Sequence, residues 1–319
     1  MRLDFDSIRA AHERIRAHIH RTPVLTSSRL DEARGASLFF KCENFQKIGA
    51  FKARGATNAI FALDDATARR GVATHSSGNH GAAVALAAKL RKIPAHIVMP
   101  SNSVKVKIRA VESYGARVVF CEPTEEAREE KCAEVIKATG ATLIHSFENE
   151  NVIAGQGTAA VELLENIPDL DIVICPVGGG GLLSGTAIAA KSMRPGIKVI
   201  AVEPENADDA ARSFRAGRRL VIEKTFTIAD GLRTNIGQPN FEIVQRYVDD
   251  IVTVSEEAIV SSMRTIWETM KIVVEPSAAV PYAAVMENKI DIHGKRVGII
   301  LTGGNVDLNA LPWSCSRDR

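Results

Sequence analysis

From about residue 70 onward the chain alternates short β-rich runs with helical ones, and this alternation restricts its architecture more than any other feature. Residues 72–74 precede a helical stretch at 81–92, 95–99 precede 104–114, and 117–121 precede 125–139. The pattern resumes with a helix at 157–166, a strand at 172–177, a helix at 182–193 and a strand at 199–203, and 298–301 reads as a late buried strand. Pro94, Pro100, Gly115, Pro123 and Gly140 stand at the joints and keep each unit short, which suits parallel strands joined by helical crossovers. The expectation is an α/β fold with parallel-rich twisted sheets flanked by helices. The first seventy residues read differently, with an amphipathic helix at 7–19 and a strand at 38–42. The pattern alone leaves the number of sheets open.

With 319 residues the chain can bury one large core or two medium ones. Its net charge of +2 argues against a nucleic-acid partner held by bulk electrostatics. The N-terminus lacks an apolar h-region and no apolar run is long enough to span a bilayer, so a cytoplasmic enzyme without membrane contact is expected. Five cysteines (Cys42, Cys121, Cys132, Cys175 and Cys315) form no C-x-x-C pair and read as reduced packing residues.

Four segments carry candidate chemistry. Gly178, Gly179, Gly180 and Gly181 lie where the strand at 172–177 hands over to a helix. Glycine admits φ > 0 and close ligand approach, and the first amides of a helix point free N–H groups outward, so this is an anion cup whose natural guest is a phosphate. No Lys-Ser/Thr pair follows as a Walker loop requires, and the G-x-G-x-x-G spacing fails. Lys52 sits in Lys47-Ile48-Gly49-Ala50-Phe51-Lys52-Ala53-Arg54-Gly55, where partial burial and a cationic neighbour would lower its pKa toward that of a nucleophile or base. Ser76-Ser77-Gly78-Asn79-His80-Gly81 offers hydroxyls, an amide and free N–H groups to a carboxylate, or simply an N-cap and turn. Thr302-Gly303-Gly304-Asn305 closes the last strand and presents a hydroxyl.

Together these segments resemble the fold type II family of pyridoxal-phosphate enzymes, the group of serine/threonine dehydratases, threo-3-hydroxyaspartate ammonia-lyases and serine racemase. Val152-Ile153-Ala154-Gly155-Gln156-Gly157-Thr158, Glu203-Pro204-Glu205-Asn206-Ala207-Asp208-Asp209, Thr227-Ile228-Ala229-Asp230-Gly231 and Val274-Glu275-Pro276-Ser277 extend the resemblance in family order over nearly the whole chain. It implies a large cofactor domain (1–65 and 148–319), a small substrate domain (66–147) and a homodimer.

The resemblance further implies that Lys52 forms the Schiff base with pyridoxal 5'-phosphate and that Phe51 packs on its ring. Asn79 would bond the phenolic oxygen, Thr302 would face the ring nitrogen, and Glu275 would lie at the cofactor. The backbone of Gly178, Gly179, Gly180, Gly181 and Leu182 would hold the phosphate. Ser76, Ser77, Asn79 and His80 match the loop for the substrate's α-carboxylate. Lys52 would then take the Cα proton, and Ser77 matches the acid/base on the opposite face in serine racemase.

Arg128 matches an arginine of the racemase-like branch that can reach a second carboxylate, although its spacing also suits a solvated helix residue with acidic i,i+4 partners. Glu203 and Asp209, with the carbonyl of Ala207, match divalent-metal ligands of that branch, a hard-oxygen set for Mg²⁺, Mn²⁺ or Ca²⁺. Phe147 and Ala82 depart from the Asn and Gln of mammalian serine racemase. The implied activity is β-elimination on serine, threonine or threo-3-hydroxyaspartate, giving a 2-oxo acid and ammonia. The alternatives are an amino-acid racemase and a non-catalytic metabolite binder.

Overall fold

A computed structural model describes residues 3–76, 78–103 and 105–313. Ten strands occur among these residues. In the first half they are β1 (Val24–Leu25), β2 (Ser37–Cys42), β3 (Val72–His75), β4 (Ala95–Pro100), β5 (Arg117–Cys121) and β6 (Thr142–Leu143). The second half adds β7 (Ile172–Pro176), β8 (Lys198–Pro204), β9 (Asp250–Val254) and β10 (Arg296–Leu301). They form a six-stranded sheet in the order β1-β2-β10-β7-β8-β9 and a four-stranded sheet in the order β5-β4-β3-β6. Every pairing is parallel except β1 with β2. The α/β expectation holds, and the sheet count is two.

β7 and residues Val297–Leu301 of β10 read as continuous apolar runs because helices cover both faces of the larger sheet, so a polar side chain there needs a buried partner, as Lys41 of β2 finds in Glu162. One face packs on helices Glu256–Met270 and Pro276–Met286, the other on helices Glu150–Asn166 and Gly181–Met193. Helix Lys52–Phe61 is shared: Ala56, Ala59 and Ile60 join the core of the four-stranded sheet, while its Gly55 lies against helix Glu150–Asn166.

The latter helix begins at Glu150, seven residues earlier than the pattern suggests, with Asn149 capping Val152 N. Gly155 and Gly157 are both helical although glycine weakens a helix, because neighbouring backbones need the space. A Cβ on Gly155 would stand 2.6 Å from Gly55 Cα, and one on Gly157 2.7 Å from Gly185 O. Close approach of three helices thus outweighs the cost of roughly 1 kcal/mol for a glycine inside a helix. The first helix runs Phe5–Ile15, capped by Asp4, and stops before the expected residue 19.

Candidate active site

Three parallel strands deliver the candidate segments from their carboxyl ends, where open α/β sheets place ligands. β7 leads into the glycine cup and its neighbour β10 into Thr302, while β3 of the other sheet leads into Ser76. Phe51 N donates to Thr302 O (2.9 Å), and Ala50 bridges Gly303. This pairing holds the residue before Lys52 against the end of β10. The resulting cleft, about 410 Å³, is lined by Phe51, Lys52, Ser76, Asn79, His80, Arg128, the four cup glycines, Leu182, Glu275 and Thr302. Every expected cofactor-binding residue therefore borders one space. Ser77 lies outside the described residues.

None of the backbone N–H groups from Gly178 to Leu182 donates to an acceptor among the described residues. Five free donors at the start of helix Gly181–Met193 fit a phosphate dianion. The glycines answer to more than the ligand. Only Gly180 takes positive φ (+91°), and a Cβ on Gly178, Gly179, Gly180 or Gly181 would meet Leu232, Phe147, Asn240 or Phe147 within 2.3–3.1 Å.

Lys52 opens helix Lys52–Phe61, and its Nζ donates to Ser146 O at 3.1 Å. Burial lowers its pKa to about 8 against an opposing pull from Glu275. The cationic neighbour invoked from sequence is not the cause. Arg54 is fully buried away from Lys52 and spends its charge on Glu43 (2.7 Å) and Glu162 (2.7 Å), beside a Lys41–Glu162 pair at 2.6 Å. Thr302 Oγ1 is buried without a partner, an orphan that a pyridine nitrogen would satisfy.

Asn79 Nδ2 donates to both Glu275 carboxylate oxygens (3.0 and 3.2 Å), and its Oδ1 accepts from Asn305 at 2.8 Å. Both contacts run to one carboxylate and can share a single N–H as a three-centre bond, which leaves the other N–H for a phenolic oxygen. Burial, reinforced by Asp230, raises Glu275 to about 7. His80 is placed in the cleft wall, but its imidazole does not suit a carboxylate. Nε2 faces Ile144 O at 2.9 Å, so it carries the proton, and burial holds the ring's pKa down to about 3. The remaining Nδ1 is an unpartnered acceptor that repels a carboxylate oxygen. The backbone N–H groups of Asn79, His80 and Gly81, free of acceptors among the described residues, are the donors that fit.

Arg128 lines the cleft beside His75 and, among the described residues, makes no ion pair with the acids around it. Its Nε donates to Thr124 O at 3.2 Å, which aims the guanidinium. Away from the cleft, Glu203 near the end of β8 and Asp209 at the start of the helix that follows are both buried, with Ala207 in the turn between them. Glu203 accepts from Ala210 N (3.1 Å) and Ala211 N (2.8 Å), and Asp209 accepts from Ile236 N (2.7 Å). Burial and mutual repulsion raise Glu203, and burial raises Asp209 to about 6. Neither forms a salt bridge among the described residues. No group of three or more His, Cys, Asp or Glu suited to a metal occurs among them either.

Sequence reasoning gave no role to Ser146, whose carbonyl receives Lys52, or to Asn305 of the last candidate segment, which holds Asn79. It also left out the Lys107–Asp230 pair (2.5 Å), which joins the two layers across the cleft mouth. Asn305 follows a glycine pair at a strand end, the only local signal any of them carries.

Residues 15–303 match the family described as pyridoxal-phosphate dependent enzyme. The chain is 50% identical over 310 residues to beta-hydroxyaspartate dehydratase of Paracoccus denitrificans, covering 97% of this chain and 98% of that protein. It is 46% identical over 299 residues to L-threo-3-hydroxyaspartate ammonia-lyase of Saccharomyces cerevisiae, covering 93% and 92%. Maize serine racemase superposes with a TM-score of 0.94 at 48% identity, over 96% of this chain and 94% of that one.

Proposed function

Because the chain belongs to the pyridoxal-phosphate dependent enzymes, we propose that it is an ammonia-lyase acting on threo-3-hydroxyaspartate, with serine and threonine as poorer substrates. The observation that carries this reading is Arg128, a guanidinium without an ion pair among the described residues, lining the same cleft as Lys52. A fork of donors in that place suits the distal carboxylate of a dicarboxylic amino acid. The hydroxyaspartate-directed names of the Paracoccus and yeast relatives support it. Net chemistry removes the Cα proton and the Cβ hydroxyl as water; a second water then displaces the nitrogen as ammonia, leaving a 2-oxo acid.

The bound cofactor supplies electron withdrawal from Cα. The chain supplies the rest. The N–H groups of residues 178–182 would grip the phosphate, Thr302 Oγ1 would meet the ring nitrogen, the remaining Asn79 N–H would meet the phenolic oxygen, and Phe51 would pack on the ring. A neutral hydroxyl at the ring nitrogen stabilises less carbanion charge than a carboxylate would, which favours prompt loss of a β-leaving group over a long-lived carbanion. Lys52 Nζ, with a pKa near working pH, accepts the Cα proton. The Ser76 loop and the amides of Asn79, His80 and Gly81 hold the α-carboxylate, with Ser77 assigned to the same loop. Racemisation is the second reading, favoured by the close superposition on maize serine racemase.

A panel of hydroxyaspartate, serine and threonine scored together for 2-oxo acid and for chirality separates the two. Arg128→Ala should raise KM for hydroxyaspartate far more than for serine. Equal effects would refute the distal-carboxylate role, and D-product without keto acid would make the enzyme a racemase.

We also assign Glu203, Asp209 and the Ala207 carbonyl to a divalent cation, Mg²⁺, Mn²⁺ or Ca²⁺, since two buried carboxylates that form no salt bridge among the described residues fit a hard ion. EDTA should lower the melting temperature and Mg²⁺ or Mn²⁺ restore it; an unchanged melting curve after demetallation removes the site. The accompanying assignments are a division into 1–65 with 148–319 and 66–147, supported by the two sheets, a homodimer, as the family resemblance implies, and a cytoplasmic location, expected from an N-terminus without an apolar h-region. No helix among the described residues is long and apolar enough to cross a membrane.

A further inference from the structure

Asn240 belongs to none of the segments considered so far, yet its side chain is fully buried directly behind the glycine cup. Its Nδ2 donates to Gly179 O and to Phe147 O, both at 2.8 Å. Gly237 N adds a second donor to the same Gly179 oxygen at 3.1 Å. Two carbonyls facing one nitrogen determine which end of the amide is which, and the other end, Oδ1, is buried with no partner. The position therefore uses the donor half of an amide and tolerates an orphaned acceptor.

The consequence follows from peptide geometry. In a trans peptide the C=O and the following N–H point in opposite directions. Pulling the Gly179 carbonyl back toward helix Gln238–Tyr247 turns the Gly180 N–H the other way, toward the cleft that Gly180 lines and Asn240 does not. Packing enforces the same arrangement, because a Cβ on Gly180 would stand 2.7 Å from Asn240 Cβ. The second bond, to Phe147 O, reaches the residue after Ser146, whose carbonyl holds Lys52 Nζ. One amide thus ties the cup to the segment that positions the lysine.

We propose that Asn240 is a positioning residue that aims the Gly180 N–H at the phosphate of the cofactor. This rests on the reading of the glycine run as the phosphate cup. The test compares the affinities of purified apoprotein for pyridoxal phosphate and for pyridoxal, which lacks the phosphate, in wild type, Asn240→Ala and Asn240→Ser. The phosphate preference of wild type should fall at least tenfold in Asn240→Ala and recover in part in Asn240→Ser, which keeps a donor, while pyridoxal affinity stays within about threefold. Equal weakening of both ligands would mark a merely structural residue and overturn the proposal, as would an undiminished preference. Wild type binding both ligands alike would instead overturn the phosphate cup itself, and this inference with it. Should Asn240→Ala fail to fold, the ratio measured in Asn240→Ser decides: a preference equal to that of wild type with only one donor left refutes the role, and a reduced one supports it.

Discussion

Lys52 offers the sharpest quantitative test, because its environment alters its chemistry before any substrate arrives. Burial brings its pKa from 10.5 to about 8, a shift worth roughly 3 kcal/mol against the ammonium form. At pH 7.5 about a quarter of the molecules then carry a free amine, against about one in a thousand for an unperturbed lysine, so capture of an aldehyde should be on the order of 200-fold faster. The assay is stopped-flow mixing of apoprotein with pyridoxal phosphate across pH 6 to 10, following the visible band. The rate should rise with an inflection near 8, and Lys52→Ala should lack this phase. Glu275 opposes the shift, so Glu275→Gln should move the inflection lower. The same shift bears on stability. The folded state carries the penalty wherever the amine is protonated, so apoprotein stability should increase as pH rises from about 8 toward 10.5, by at most about 3 kcal/mol because the cleft admits solvent. Lys52→Met should abolish that rise. An inflection at 10 or above would refute the claim that burial tunes this lysine.

Two further substitutions probe the scaffold. Arg54→Met leaves Glu43 and Glu162 buried with only Lys41 for company, and chemical denaturation should register a loss of about 3–5 kcal/mol; less than 1 kcal/mol would mean the network is not holding the Lys52 helix. Gly185→Ala would drive a Cβ to 2.4 Å from Ile153 O and 2.6 Å from Gly157 N. Both are backbone atoms that cannot swing aside, so about 3 kcal/mol of destabilisation is expected by thermal melting, whereas Gly196→Ala, with nothing within 4 Å, should stay within about 0.5 kcal/mol. Similar melting of the two variants would remove the close-packing explanation for the helical glycines.

The sequence by itself determined the α/β class, the strand-to-helix cup and the glycine-bearing segments that carry Lys52, Asn79 and Thr302. Those features are local: period, glycine placement and helix starts depend on residues a few positions apart. Tertiary structure alone decided the rest. The expected helix at 157–166 begins at Glu150 instead, and the place of Gly155 and Gly157 in it is explained only by the backbones of Gly55 and Gly185 that need the space. The Lys52 segment suggests a cation as the cause of its reactivity, but Arg54 turns away into a carboxylate pair and burial does the work instead. His80 belongs to the expected loop, yet Ile144, 64 residues on, sets its tautomer and withdraws its ring from carboxylate binding. Asn240 has no local signature at all, since its partners lie 61 and 93 residues away. Burial, tautomer and peptide orientation are set by whatever packs against a residue, and chain order does not encode those neighbours locally.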